Sequence, residues 1–184
     1  SPITLATIQR LAELERIVGI KDSSGDVAFM MRMISAIRPS RPDFTFLTGW
    51  DCVLVPMLVA GADGGTNAAS NVVPELMRLM YDTARAGRLD QAMRLQTRVL
   101  ELFDHMLDHY EFPDGFRAGV ELRGFNFGHS RQPQSETQQQ RRAELQSILD
   151  CLLAERGPCP APGDAHVEQI TLEVLHTLRE RGLL

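Results

Sequence analysis

The segment IVGIKDSSGD, residues 17–26, contains the only lysine of a 184-residue chain in which every other Lys or Arg position is arginine. The difference is chemical. A guanidinium stays protonated near neutral pH and is a poor nucleophile, whereas an amine can give up its proton. Burial or a neighbouring cation lowers a lysine pKa, and the free amine then adds to a ketone and forms an imine with loss of water. A protonated imine is an electron sink, so the adjacent carbon can carry the carbanion character needed to make or break a C–C bond or to eliminate water. The plainer role for Lys21 is a solvated charge, or an ion-pair partner for Asp22 or Asp26. One amine kept against a background of arginine brings chemistry level with the plainer role.

The other reactive side chains form no constellation. His105 and His109 are spaced i, i+4, as two metal ligands on a helix would be, but no third ligand accompanies them and helix surface is the expectation. Cys52, Cys151 and Cys159 match neither metal-ligand spacing nor a paired disulfide framework, so a reducing, cytoplasmic setting is expected. A formal net charge of −5 argues against a nucleic-acid partner. The longest nearly apolar run, VLVPMLVAGA from Val53 to Ala62, contains Pro56 and is far short of the roughly 20 residues that span a bilayer. The 43% hydrophobic content is enough for a substantial core.

The elements that position Lys21 follow from periodicity. Leu5, Ile8, Leu11, Ala12 and Leu14 predict an amphipathic helix, residues 16–20 a strand, and residues 27–37 a second helix after the polar DSSGD loop. FTFLTG, residues 44–49, reads as a second strand, followed by a helix from about Val53 to Ala60. ADGGTNAASN, residues 62–71, reads as a third strand entering a helix near Pro74, with helix continuing to Leu107 apart from a turn at AGRLD. Three short-linked β-α alternations imply a parallel sheet. Alternation along the first strand puts Ile17, Gly19 and Lys21 on one face and Val18 and Ile20 against the helices. Lys21 then projects from the C-terminal end of its strand, where parallel α/β folds place their chemistry. Farther on, FPDGFRAGVELRGFNFG, residues 112–128, predicts a short helix and a packed loop. Residues 137–153 predict a helix, GPCPAPG a break, and residues 165–181 a final amphipathic helix.

IVGIKDSSGD, then FLTGWD, then GADGGTNAASNVVPE, in this order and spacing, resemble the C-terminal half of the dihydrodipicolinate synthase and N-acetylneuraminate lyase family. The resemblance runs from about residue 1 to residue 153. It implies an α/β fold, a (β/α)8 TIM barrel to which this chain supplies about strands 6 to 8 plus C-terminal helices. It also implies a homotetramer and a Schiff base between lysine and pyruvate or another 2-oxo acid, with neither cofactor nor metal. By the resemblance Lys21 is the imine-forming lysine and Ser23 a substrate-contacting hydroxyl. Gly49 and Asp51 belong to the loop after the seventh strand that contacts substrate hydroxyls, and Gly65, Thr66 and Asn67 to the eighth strand lining the pocket. Asp51 and Thr66 are expected to touch the pocket, although Asp51 could also serve only to cap the next helix; Trp50 and Cys52 fit either pocket or core.

Three strands cannot close a barrel that typically takes ~250 residues. The family draws a carboxylate-binding Thr-Thr pair and a proton-relaying tyrosine from the first half of the barrel, and no segment here matches them; Tyr81 and Tyr110 fall after the last strand. An N-terminal barrel half, upstream of Ser1 or in another chain, is therefore the expected partner. The organisation expected is residues 1–110 as the C-terminal part of the barrel, 111–157 as a helical region packed on it, and 158–184 as a Pro-rich break and tail helix. The leading function is a Schiff-base lyase or aldolase. The alternatives are a non-catalytic relative that binds an oxo acid or serves as an assembly half, and a sugar-acid dehydratase of the same family.

Overall fold

The computed structural model describes residues 3–126, 128, 133 and 135–154. Helix α1 (Leu5–Ala12) starts where Thr4 Oγ1 accepts the Thr7 N–H, and it leads into strand β1 (Gly19–Asp22). Helix α2 (Val27–Ile37) is capped by Asp26, whose Oδ1 accepts the Phe29 N–H at 2.8 Å. Strand β2 (Thr45–Thr48) is followed by a 3₁₀ turn (Asp51–Val53) and helix α3 (Leu54–Val59), and strand β3 (Gly64–Gly65) by a 3₁₀ turn at Ala69–Asn71. Helices α4 (Pro74–Arg85), α5 (Leu89–Asp108), α6 (Asp114–Leu122) and α7 (Glu136–Leu153) complete the described chain.

The sheet is parallel in the order β1-β2-β3, with Lys21 opposite Leu47 and Leu47 opposite Gly64. Ile20, Phe44 and Phe46 pack with Ile8, Met30, Met33 and Ile37 in one apolar cluster, so α1 and α2 cover one face of the sheet. A second cluster, including Val55, Val72, Met80, Val99, Leu102, Met106 and Leu149, joins α3 to α7. Each such fully buried side chain contributes about 1.5–3 kcal/mol. Among the described residues no strand covers the face that carries Lys21.

Several boundaries differ from the expectation. β1 runs from Gly19 to Asp22 rather than over residues 16–20, so Lys21 lies within the ladder, and Val18 is 66% exposed instead of packing under the helices. The third strand spans only two residues; after a last bond from the Thr66 N–H to the Thr48 carbonyl the chain leaves the ladder, and the Ala68 and Ala69 N–H groups turn to the Asp51 carboxylate. His105, expected on the helix surface, is buried; its Nε2 lies 3.3 Å from the Arg141 carbonyl, and burial pushes its pKa down. Cys151 is disulfide-bonded, against the expectation that the spacing offers no bridge and that the cysteines stay reduced, while Cys52 is a free thiol. The expected break at 157–163 and tail helix at 165–181 lie outside the described residues.

Candidate active site

Lys21 lies one residue before the end of β1. Because Ile20 packs toward the helices, strand alternation turns Lys21 to the uncovered face. It is exposed, as a group pointing into a barrel would be when no opposite wall stands before it. Among the described residues the ion-pair role has no partner. Both Asp22 oxygens are engaged by Ser24, through its N–H at 2.9 Å and its Oγ at 2.8 Å, and Asp26 caps α2. No ion pair to Lys21 exists among the described residues.

Gly49 makes room for the amine. A Cβ built there would collide with Lys21 Cε and Ser23 Oγ and stand 3.1 Å from Lys21 Nζ. Its own N–H donates to the Asp22 carbonyl at 2.7 Å, fixing the β2 exit beside the β1 exit. Lys21, Ser23 and Gly49 are therefore brought together. The loop beneath is closed by Gly25, whose φ of +75° suits glycine and whose missing Cβ lets Trp50 approach.

The β3 residues stand on the other side of β2. Thr66 is exposed, and its N–H donates to the Thr48 carbonyl at 2.8 Å. Gly65 is needed because a Cβ there would strike Asn67 Oδ1 and stand 2.9 Å from Leu54 Cδ1. Asn67 is 8% exposed, and its Nδ2 makes no well-formed hydrogen bond. Gly65 and Asn67 border a cavity of about 350 Å³ at the free edge of β3, shared with Leu47, Ser70 and Tyr81; Lys21 is not in its wall.

Asp51 sits elsewhere than on an open pocket wall. It is 1% exposed, and its Oδ1 and Oδ2 accept the N–H groups of Ala69 at 2.6 Å and Ala68 at 3.2 Å. Desolvation raises its pKa, against the lowering effect of those two amides and the neighbouring Asn67 side chain. It caps a turn, though the turn after β3 and not the helix next in sequence. The Cys52 thiol is pushed up to about 12, first by burial and then by the carboxylates of Asp104 and Asp51. Tyr81 donates its hydroxyl to the Asp63 carbonyl and Tyr110 to that of Gln138, so both are committed to backbone.

Sequence reasoning missed Gln96. It is 3% exposed on α5, where it interrupts the apolar stripe of Ala92, Leu95, Val99, Leu102 and Phe103; a polar residue on such a stripe was the available signal. Its Oε1 accepts the Val55 N–H at 3.0 Å and its Nε2 donates to the Asp51 carbonyl at 2.9 Å.

Three consecutive parallel β/α units, with the lysine at the C-terminal end of the first strand, are what the C-terminal part of a (β/α)8 barrel would supply. Residues 1–152 match the Dihydrodipicolinate synthetase family, and the chain belongs to it. An uncharacterized DapA-like lyase of Halobacterium salinarum is 34% identical over 147 residues, 80% of this chain and 47% of that protein. A 4-hydroxy-tetrahydrodipicolinate synthase of Archaeoglobus fulgidus is 31% identical over 146 residues, covering 79% of this chain and 49% of the enzyme. The crystal structure of YagE, a prophage protein of the dihydrodipicolinic acid synthase family from E. coli K12, was determined in complex with pyruvate. It superposes with a TM-score of 0.72 at 28% identity, over 82% of this chain and 51% of that one. The chain thus spans about half the length of the relatives it matches.

Proposed function

We propose that this chain carries the imine-forming part of a Schiff-base lyase acting on pyruvate or another 2-oxo acid. Lys21 Nζ adds to the keto carbon, and proton transfers convert the carbinolamine into a protonated imine and release water. Loss of a proton or a carbon fragment from the neighbouring carbon then gives the enamine, and the reverse steps return the amine. The observation that carries the reading is Lys21 at a strand's C-terminal end, free of any carboxylate partner among the described residues, with its amine laid over a glycine. The pyruvate held by a relative of this fold supports the substrate class.

In the same reading Ser23, Gly49, Thr66 and Asn67 border the substrate, and Asp51 acts from below. The carboxylate site and proton relay come from a complementary barrel half of about five β/α units, upstream or in a separate chain. Residues 1–110 form the barrel part, 111–157 the helical region packed on it and 158–184 a tail. A homotetramer in the cytoplasm completes the proposal.

The test is incubation of the complete barrel with pyruvate and borohydride, followed by peptide mass analysis. A reduced adduct on the Lys21 peptide is expected, and Lys21→Arg, which keeps the charge without the nucleophile, should abolish it. No adduct on the complete barrel, or an undiminished one in the arginine variant, would favour the non-catalytic alternative.

A further inference from the structure

We propose that Gln96, on a helix beyond the last strand, is a positioning residue for the Lys21 site, a role that rests on the lysine-imine reading above. The turn at Asp51–Val53 and helix α3 have no side-chain cap of their own, and neither has the turn at Ala69–Asn71. Helix and turn starts leave N–H groups without partners, and buried ones must find acceptors. Here the acceptors come from far along the chain. Gln96 Oε1 takes the Val55 N–H of the first turn of α3 while its Nε2 holds the Asp51 carbonyl. Asp51, so held, puts its two carboxylate oxygens on the Ala68 and Ala69 N–H groups.

One side chain on α5 therefore fixes the loop after β2 directly and the loop after β3 through Asp51. Phe103, seven residues on and on the same face of α5, meets Trp50 edge-on with ring centroids 5.4 Å apart. Between these two grips lies the Gly49-Trp50-Asp51 turn, whose first residue abuts Lys21 and Ser23. Displacing that turn moves the floor under the amine, and a misplacement on the order of 1 Å can cost about a hundredfold in rate.

The test compares Gln96→Met, Gln96→Glu and Phe103→Leu in the complete barrel, with two readouts. The first is the rate of the borohydride-trapped pyruvate adduct on Lys21. Gln96→Met, which can neither donate nor accept in place of the amide, is expected to lower it roughly tenfold to a hundredfold. Gln96→Glu should recover toward wild type as pH falls, because a protonated carboxyl both donates and accepts as the amide does, whereas Gln96→Met should show no such recovery. The second readout is amide exchange. Val55, Ala68 and Ala69 should exchange faster in Gln96→Met while the α1–α2 layer keeps its protection. Trapping and exchange both at wild-type level in Gln96→Met would overturn the proposal, and if that variant does not fold, absence of pH recovery in Gln96→Glu would do so. A wild-type barrel that forms no adduct would sink the lysine reading instead; the grip of Gln96 on the two turns is then refuted by unchanged exchange alone. Phe103→Leu should slow trapping with less effect on Ala69 exchange, and equal loss of protection there would assign the coupling to packing and overturn the role given to the amide.

Discussion

A carboxylate removed from water must find donors, and Asp51 finds two in amides 17 and 18 residues farther along the chain. Replacing it by alanine leaves the buried Ala69 N–H without an acceptor, at a cost of about 1–3 kcal/mol, and the part-buried Ala68 N–H at a smaller one. Asparagine retains one acceptor oxygen and should cost less, an order that urea denaturation of the two variants checks. The pH dependence has a definite sign. Burial raises the folded pKa above the ordinary aspartate value, so the folded state holds the proton more tightly, and Asp51's contribution to stability declines as pH rises from the ordinary value through the folded one. Wild type minus Asp51→Asn should lose stability across that window, and a difference that grows with pH would contradict the burial argument. Cys52 gives a second residue-level expectation: with its thiol pushed up to about 12, alkylation near pH 8 should leave the Cys52 peptide largely unmodified in the folded protein. Fast labelling would show the thiol to be far less shielded. That Asp51 lies in the loop after the second strand followed from the resemblance carried by FLTGWD. The direction of its carboxylate was not legible, because it depends on amides brought in by β3, and no local pattern encodes them.

At the scale of elements, helices were legible where a 3.6-residue period met a strong cap, as in α2, which runs over 27–37 as its spacing predicts and begins at Asp26. Strands were less so. A ladder's length is set by partners elsewhere in sequence: β3 spans two residues, the Thr66 N–H makes one more bond to the Thr48 carbonyl, and the chain then turns so that Ala68 and Ala69 donate to Asp51. Helix α6 is the case where composition misleads, since Gly115 and Gly119 sit inside a helix that propensity alone would make more stable with alanine by about 1 kcal/mol per site. Packing predicts the opposite. A Cβ at Gly115 would run into the Met106 backbone, with its Cα and C at 2.8 Å, and one at Gly119 would meet Val72 Cγ1 at 2.9 Å and Met106 Sδ at 3.3 Å. Backbone cannot step aside, whereas the Val72 and Met106 side chains can shift. Gly115→Ala should therefore be the more destabilising, and Gly119→Ala milder at about 1–3 kcal/mol. Thermal melts of the two variants decide it, and a gain in stability at either position would remove the close approach of α6 to α5 or to the Val72 turn.

For the whole molecule, the alternation of strand and helix made the parallel sheet readable, yet the open side of that sheet sets its behaviour. β1 and β3 each have one neighbour among the described residues, so each offers an unpaired edge, and unpaired edges recruit other strands. The face carrying Lys21 is uncovered, with Leu47 opposite it in register only partly buried, and Ile17 and Val18 are exposed at the entry to β1. In a closed barrel the same edges would pair with the first and fifth strands of the complement, and the amine would face an interior instead of solvent. The 184-residue chain alone should accordingly associate with itself in a concentration-dependent way in sedimentation experiments, and the complementary five-unit half should convert it to a discrete complex. Pyruvate trapping on Lys21 should rise with that conversion, since closure supplies the carboxylate site and excludes water from the imine. A chain that stays monomeric by itself and traps pyruvate as fast as the complete barrel would show that three β/α units and their helices are sufficient, and that the other wall contributes nothing to the chemistry of the amine.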